Sequence, residues 1–258
     1  MAGAGEPKLR VRDATKAYQT RSGELVAIDR CSLTVNDGEI VSIVGPSGCG
    51  KTTLLWSMSG LHHLTSGEVL LDGQPVTGPN PHIGMVFQEA NLLPWRNLDA
   101  NINFPFEIKG TKPDRAWVAD LLDRVGLKGF GGRFPRELSG GMQQRAALVR
   151  ALSYKPSLLL MDEPFGALDA FTREELWCVI RDLHAAQDVT IMLVTHDLRE
   201  AVFLADRIFV MSARPGRVIA EHRIEFTRPR ELALLYDAAF NEKVHELRGE
   251  IAEARVAA

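Results

Sequence analysis

The sequence lacks the features that would place it in several large classes of protein. Its three cysteines, Cys31, Cys49 and Cys178, have no paired spacing, which argues against a disulfide framework or a zinc site and favours a reducing compartment. No run approaches the ~18 apolar residues that a membrane span requires, and residues 1–10 have no apolar core typical of a secretory signal. The formal net charge of -3 gives no overall attraction to nucleic acid. Any role at a membrane is therefore expected to depend on partner proteins.

What is present is a chain of 258 residues, 45% of them hydrophobic, which is enough for a large core. Short apolar or β-branched runs predict strands at residues 25–28, 31–35, 39–44, 68–71, 83–87, 158–161, 190–195, 208–211 and 217–220. Helical patterns occupy residues 52–60, 117–125, 141–152, 174–186 and 198–205. Strands that alternate with helices predict a mostly parallel α/β sheet, and the helical middle of the chain predicts a lobe inserted into it.

A glycine-rich loop joins the strand predicted at 39–44 to the helix predicted at 52–60. Residues 45–52 read GPSGCGKT and fit the phosphate-loop pattern G-x-x-x-x-G-K-[ST]. In this pattern the glycines let backbone N–H groups surround phosphate oxygens, Lys51 reaches the β- and γ-phosphates, and the Thr52 hydroxyl binds Mg²⁺. The helix that follows directs its positive end towards the same charge. The loop predicts a nucleotide site, with a glycine turn that binds nothing as the alternative.

Two acidic residues follow the apolar strand predicted at 158–161. Asp162 is placed to hold Mg²⁺, directly or through water, as the second carboxylate of a phosphate-loop site. Glu163 is placed to orient and polarise an attacking water. Such a run taken alone is more typical of a strand that emerges into solvent. Its combination with the phosphate loop favours a hydrolytic site.

A third motif lies between the phosphate loop and Asp162. Residues 138–145 read LSGGMQQR and open a predicted helix, with Ser139 as a candidate N-cap and with Gly140 and Gly141 exposing backbone N–H groups. A capped helix that binds nothing is the alternative for this segment by itself. The order of the three motifs resembles the ABC (ATP-binding cassette) ATPase family, whose signature motif often has glutamine where this chain has Met142. The resemblance extends over almost the whole chain, from about residue 9 to about residue 220.

Other positions resemble further motifs of that family. Gln88 is similar to the Q-loop glutamine and His196 to the switch histidine, with a polar strand end and a helix cap as their alternatives. Residues 167–169, Ala-Leu-Asp, resemble the D-loop. Tyr18 resembles the aromatic residue that stacks on adenine, although a tyrosine near a strand is more often a packing residue. Cys49, within the phosphate loop, is either a small filler or a thiol whose modification would block ATP binding.

The resemblance implies a single ABC ATPase domain of the α/β class. Its P-loop NTPase (RecA-like) core, with an N-terminal antiparallel β-subdomain, would occupy residues 1–87 and 155–225. An inserted α-helical subdomain that carries the signature motif would occupy residues 88–154, and a helical tail residues 226–258. That tail is expected to pack on its own chain, with docking on a partner as the alternative.

The implied activity is Mg²⁺-dependent ATP hydrolysis in a head-to-tail homodimer, in which each ATP lies between the phosphate loop of one copy and the signature motif of the other. The implied catalytic residues are Glu163, His196, Lys51 and Gln88. The implied Mg²⁺ ligands are Thr52, Gln88 and Asp162. The implied nucleotide contacts are Tyr18, Gly45, Pro46, Ser47, Gly48, Cys49, Gly50, Lys51, Thr52, Thr53, Ser139, Gly140 and Gly141.

Residues 87–95 and 211–217 look like the corresponding segments of nitrate/sulfonate/taurine importer ATPases. This resemblance implies a peripheral subunit on the cytoplasmic face of the inner membrane that acts with integral membrane permease subunits and, indirectly, with an extracytoplasmic solute-binding protein. The pair Pro94 and Trp95 is either a contact for a membrane subunit or part of the helical lobe. An exporter or lipid-transporter ATPase, and a non-transport ABC ATPase, are the alternatives. The residues do not identify the solute, and no nucleic-acid partner is expected.

Overall fold

Two β-sheets organise the chain. The computed structural model describes residues 6–21, 23–166, 168–187 and 189–256. Within these residues the strands are β1 (Leu9–Thr20), β2 (Gly23–Val35), β3 (Ile40–Val44), β4 (Ser66–Leu71), β5 (Gln74–Pro75), β6 (Ile83–Val86), β7 (Leu158–Asp162), β8 (Thr190–Val194), β9 (Arg207–Met211) and β10 (Val218–Arg223). The helices are α1 (Lys51–Met58), α2 (Leu98–Lys109), α3 (Arg115–Arg124), α4 (Gly140–Leu152), α5 (Ala170–Gln187), α6 (Leu198–Leu204) and α7 (Ala238–Val256), with 3₁₀ turns at Pro135–Glu137 and Leu232–Tyr236.

The larger sheet has the strand order β10-β9-β3-β8-β7-β6 and is parallel except for β10, as the alternation of strands and helices predicts. Every residue of β3, β7 and β8 is buried. A strand that is covered on both faces reads as a continuous apolar run, which is why these three could be recognised in the sequence. The carboxyl ends of β3, β6, β7 and β8 meet at one edge, where their following loops can assemble a site.

The smaller sheet is antiparallel, with the order β2-β1-β4-β5. The expectation of two separate strands at 25–28 and 31–35 is wrong, because both belong to β2, whose pairing with β1 shifts register along its length. Arg30, with φ 47°, lies at this irregularity and interrupts the alternation of apolar residues. β1 has few apolar residues and was not predicted, since it is defined by pairing with β2 and β4 rather than by its own pattern.

The segment between β6 and β7 contains α2, α3, α4 and the turn Pro135–Glu137. α4 begins one residue before its predicted start, and α3 begins two residues before the pattern predicted at 117–125 and ends one residue before its end. α2 was not predicted as a separate helix, because its polar start and the internal Pro105 weaken the pattern. Its first turn is capped by Asn97, whose side chain accepts a hydrogen bond from the Ala100 backbone N–H.

Successive residues of the parallel strands supply two hydrophobic cores. Ile40 and Val44 of β3 pack towards α4, α5, α6 and α7, whereas Val41 and Ile43 pack towards α1 and the antiparallel sheet. Strand side chains point alternately to opposite faces, so one apolar run serves both cores. Among the described helices none is both long enough and apolar enough to cross a membrane.

Candidate functional site

The phosphate loop follows β3 and turns sharply into α1. Gly48 and Gly50 have φ angles of 75° and 107°, in the region that side chains rarely adopt, and a Cβ on Gly50 would lie 2.7 Å from the Ala27 carbonyl oxygen. No side chain caps the start of α1, so its first backbone N–H groups are available to an anion. The Nζ of Lys51, a buried lysine, donates to the carbonyl oxygens of Gly45 and Pro46, both at 3.0 Å. The loop is a preformed pocket of donors.

Asp162, the last residue of β7, lies against the first turns of α1. Its Oδ1 accepts a hydrogen bond from the Thr52 hydroxyl at 2.9 Å, and its Oδ2 accepts one from the Trp56 Nε1–H at 3.0 Å. Burial raises the pKa of Asp162, and the neighbouring Glu163 carboxylate adds to the rise, while the two hydrogen bonds oppose it. The structure therefore brings together Thr52 and Asp162, two of the three residues predicted as metal ligands with Gln88. Trp56 was missed, because nothing in its spacing indicated that it meets this carboxylate.

Glu163 and His196 meet at the same sheet edge. The Glu163 carboxylate Oε2 lies 3.0 Å from the His196 Nδ1. The Glu163 backbone N–H donates to the Val194 carbonyl of β8 at 2.8 Å, and the residue has φ 44°. A left-handed conformation at a non-glycine residue is sterically costly. It turns the chain out of β7 at once and leaves the side chain at the cavity wall instead of in the core.

A cavity of about 1260 Å³ unites most of the predicted residues. Its lining includes Gly45, Ser47, Gly48, Gly50, Lys51, Thr52, Thr53, Gln88, Glu163 and His196. Pro46 and Cys49 of the same loop are instead buried and do not line the cavity. Asp162 is connected to the cavity by the hydrogen bond that it accepts from Thr52, a lining residue. Burial also raises the pKa of the Cys49 thiol. Four loops that are distant in sequence thus supply cation, hydroxyl, amide, carboxylate and imidazole groups to one space.

The same cavity has a wall that the sequence did not indicate. The residues missed include the arginines Arg199, Arg214, Arg248 and Arg255, together with Val244, Ile251 and Ala252 of α7. α7 packs on its own chain through Phe240 and Leu247, both fully buried, and so brings its other face to the cavity. The amphipathic pattern of the tail predicted a packed helix and carried no information about what lies opposite it.

The lining of this cavity does not include Ser139, Gly140 or Gly141, although side chains further along α4 form hydrogen bonds with the segment that carries Gln88. The Ser139 hydroxyl is exposed and caps α4 by accepting a hydrogen bond from the Met142 N–H at 3.3 Å. Further along α4, Gln144 Nε2 donates to the Phe87 carbonyl at 3.0 Å, and Arg150 donates to the carbonyls of Ala90 and Asn91. α4 therefore fixes the segment that carries Gln88, while its own start faces outward.

Three remaining predicted positions lie apart from the cavity lining. The Tyr18 hydroxyl is 3.0 Å from His62 Nδ1, and the Lys16 Nζ lies 5.0 Å from the centre of the Tyr18 ring. Burial and the charge of Lys16 lower the pKa of His62.

In the 167–169 motif, Ala167 is outside the described residues, and the Asp169 carboxylate accepts hydrogen bonds from the Thr172 N–H and hydroxyl at 3.0 and 2.7 Å. Trp95 is 71% exposed, so its indole is available to a partner.

Comparison with known proteins agrees with this geometry. A family model described as ABC transporter matches residues 28–166. An uncharacterized ABC transporter ATP-binding protein of Methanocaldococcus jannaschii is 42% identical over 239 residues, which are 92% of this chain and 90% of that protein. A taurine import ATP-binding protein, TauB, of Burkholderia pseudomallei is 44% identical over 223 residues, 86% of each chain.

A solved structure has the same fold. It is a dimeric ATP-binding cassette in a post-hydrolysis state bound to ADP and Pi, with a TM-score of 0.75 and 31% identity. The match covers 85% of this chain and 100% of that one.

Proposed function

The chain belongs to the ABC transporter ATPase family, and from that premise we propose that it is the ATP-hydrolysing subunit of an importer for a small solute. It would act at the cytoplasmic face of the inner membrane through separate permease subunits, and indirectly with an extracytoplasmic solute-binding protein. The import function named for the relative that is 44% identical supports this direction of transport.

The observation that carries the proposal is the single cavity that unites the phosphate loop with Gln88, Glu163 and His196. In the proposed roles Lys51 and the N–H groups at the start of α1 hold the β- and γ-phosphates. Glu163 orients and polarises the attacking water, and His196, in contact with the Glu163 carboxylate, positions that water and the leaving phosphate. Catalysis then consists mainly of positioning and of charge stabilisation in a preorganised site.

The donor set also fits Mg²⁺. A hydroxyl and a carboxylate, Thr52 Oγ1 and Asp162 Oδ1, lie 2.9 Å apart beside the loop, and the amide of Gln88 lines the same cavity. Hard oxygen ligands of this kind suit Mg²⁺, which is bound by few protein groups together with substrate phosphates. When bound with ATP, the ion neutralises phosphate charge. The chain's own part is to keep Thr52, Gln88 and Asp162 on one side of the phosphates.

We place Ser139, Gly140 and Gly141 on the ATP of a second copy in a head-to-tail dimer. Ser139 and Gly140 are exposed and Gly141 is half-buried at the start of α4, and none of them is part of the cavity in their own chain. The γ-phosphate would then have donors on two sides, one from each copy, and ATP would hold the copies together until hydrolysis releases them. The dimeric state of the matched cassette structure supports this arrangement.

Mixing two inactive variants tests that arrangement. Lys51→Ala removes the phosphate-loop cation, and Ser139→Asp places a negative charge where the partner's γ-phosphate would lie. In a head-to-tail hybrid dimer one site has both substitutions and the other has neither, so mixing should restore part of the ATPase rate. If each chain builds its site alone, no hybrid site is intact and the mixture stays as inactive as its components.

We also propose a class of solute, with taurine, alkanesulfonates and nitrate as candidates. The test is uptake of labelled taurine, ethanesulfonate or nitrate into vesicles that contain this chain, integral membrane permease subunits and a solute-binding protein. ATP-dependent uptake of one solute, abolished by Glu163→Gln in this chain, supports an importer. Release of a loaded solute from the cytoplasmic side instead would indicate the alternative, an exporter or lipid-transporter ATPase.

A further inference from the structure

The turn between β9 and β10 lies directly against the phosphate loop. This turn, residues 212–217, reads SARPGR and has no role in the mechanism above. Its Arg214 lines the same cavity as Lys51 and Gln88. We propose that Arg214 is a positioning residue for nucleotide binding, which holds the Gly48–Cys49 peptide of the phosphate loop in its phosphate-binding orientation. The inference rests on the proposed phosphate-binding role of that loop.

The first observation is a two-pronged contact with one carbonyl. Arg214 Nε and Nη2 both donate to the Gly48 carbonyl oxygen, at 3.1 and 2.7 Å. In a trans peptide the C=O and N–H groups point in opposite directions, so fixing the Gly48 carbonyl also fixes the direction of the Cys49 N–H. Gly48 has a φ of 75° and no side chain to restrain it, so this peptide is held at its C=O end by the arginine and at its N–H end by the hydrogen bond that the Cys49 N–H donates to the Pro46 carbonyl at 3.3 Å. A rotated carbonyl would present a negative dipole to the phosphates.

The second observation is that Arg214 acts from a rigid base. The Gly216 N–H donates to the Ala27 carbonyl at 3.0 Å, and the Gly216 carbonyl accepts from the Asp29 N–H at 2.9 Å, which attaches the turn to β2. A Cβ on Gly216 would overlap the Cys49 carbonyl oxygen, so the turn and the loop are in direct backbone contact. The Ser212 hydroxyl accepts from the Arg217 N–H at 3.0 Å and closes the turn. The arginine is therefore held at a fixed distance from Gly48.

The third observation separates Arg214 from its neighbour. Arg217, in the same turn and also exposed, directs its guanidinium to the Asp29 carboxylate, with Nε at 2.9 Å. Arg214 instead uses two donors on an uncharged carbonyl and brings its positive charge to the cavity that would hold phosphates. Charge-assisted hydrogen bonds of this kind are stronger than neutral ones. A solvated turn residue would not be directed in this way, and Arg217 provides a matched control.

The test is nucleotide binding and steady-state hydrolysis by the full chain for Arg214→Ala, Arg214→Lys and Arg217→Ala, with Lys51→Ala as reference. We expect Arg214→Ala to raise the Kd of ATP and of ADP by about tenfold each, because the loop binds the phosphates that both share. The KM should rise, whereas kcat should stay within about twofold of wild type, since Arg214 does not contact Glu163 or the attacking water. Arg214→Lys keeps a charged donor and should recover most of the affinity, and Arg217→Ala should match wild type.

A readout without nucleotide is alkylation of Cys49, whose side chain is 1% exposed. Loosening the Gly48–Cys49 peptide should accelerate its labelling by iodoacetamide in Arg214→Ala, while the labelling of buried Cys31 stays unchanged. If Arg214→Ala binds ATP and ADP with wild-type affinity while Lys51→Ala loses affinity, this inference is overturned and the proposed function is left intact. An equal loss in Arg217→Ala, or a loss for ATP alone, also overturns it. Wild-type binding by Lys51→Ala would instead overturn the proposed role of the loop.

Discussion

The phosphate loop and the start of α4 are both glycine-rich beginnings of helices, yet their surroundings are opposite. At α1 no side chain caps the helix, and the free N–H groups open into a cavity with Lys51, Glu163 and His196. At α4 the Ser139 hydroxyl caps its own helix, Gly140 is exposed and Gly141 is half-buried. One chain thus places its first anion site at the large cavity, whereas the start of α4 lies outside the lining of that cavity. The difference supports a site that two copies share, with most of the chemistry on the phosphate-loop side.

The largest expected effect tests where that chemistry lies. Glu163→Gln keeps the shape of the side chain but removes the carboxylate that would polarise water, so kcat should fall by about a thousandfold. ATP affinity should stay within about twofold of wild type, because the substitution leaves the phosphate loop intact. The measurement is phosphate release beside ATP titration, with Glu68→Gln, a surface carboxylate paired with Arg12, as the control. A variant that hydrolyses ATP normally would remove Glu163 from the mechanism.

Lys51→Ala should affect binding itself. Its buried ammonium holds the loop carbonyls of Gly45 and Pro46 and would face the β- and γ-phosphates, so the Kd of ATP should rise by about a hundredfold. Titration with ATP and AMP separates the causes: AMP affinity should change little, because AMP lacks both of those phosphates. The exposed Lys112→Ala is the control. Equal losses for ATP and AMP would indicate a collapsed loop instead of a lost phosphate contact.

Substitution of Ser139 tests the other helix start of this comparison, that of α4. Ser139→Ala should leave ATP binding to the single chain unchanged and lower hydrolysis by about tenfold, because its hydroxyl would act only across the dimer. It should also cost about 1 kcal/mol of stability through loss of the α4 cap. Ser139→Asp keeps a capping oxygen yet should hydrolyse more slowly than the alanine variant. If Ser139→Asp restored both stability and hydrolysis, Ser139 would be a cap and nothing more.

The change with the smallest expected effect on catalysis is at Glu200, in the helix that follows His196, and its main effect is on stability. Glu200 of α6 is 2% exposed, and burial, with help from the Asp197 charge, raises its pKa from an ordinary 4.5 to about 8. The folded chain therefore holds a proton that the unfolded chain releases between these pH values, and stability declines as pH rises through this window. Glu200→Gln cannot release a proton.

We expect wild type to lose on the order of a few kcal/mol of unfolding free energy relative to Glu200→Gln between pH 4.5 and 8, with no further loss above it. Urea unfolding at several pH values measures this difference. Asp237→Asn, an acid exposed at the start of α7, is the control. Parallel stability curves for wild type and Glu200→Gln would contradict a buried, protonated carboxyl.

The sequence by itself determined the parts of this protein that local physics specifies. The phosphate loop could be recognised because its glycines and Lys51 impose one backbone path between a strand and a helix. β3, β7 and β8 could be recognised because strands buried on both faces must be apolar throughout. Asp162 and Glu163 could be located because they stand at the end of such a strand, and the carboxyl ends of parallel strands share one edge of a sheet. His196 was indicated by its resemblance to the switch histidine of the family.

Only the tertiary structure decided which distant groups meet there. Trp56 reaches the Asp162 carboxylate, Arg214 reaches Gly48, and Arg248 and Arg255 of α7 line the cavity, across separations that hydrophobic periodicity does not report. β1 escaped prediction for the same reason, because its partners rather than its own residues make it a strand. Local patterns record what a segment buries, whereas contacts between segments depend on strand order and on turns whose conformation is set by packing.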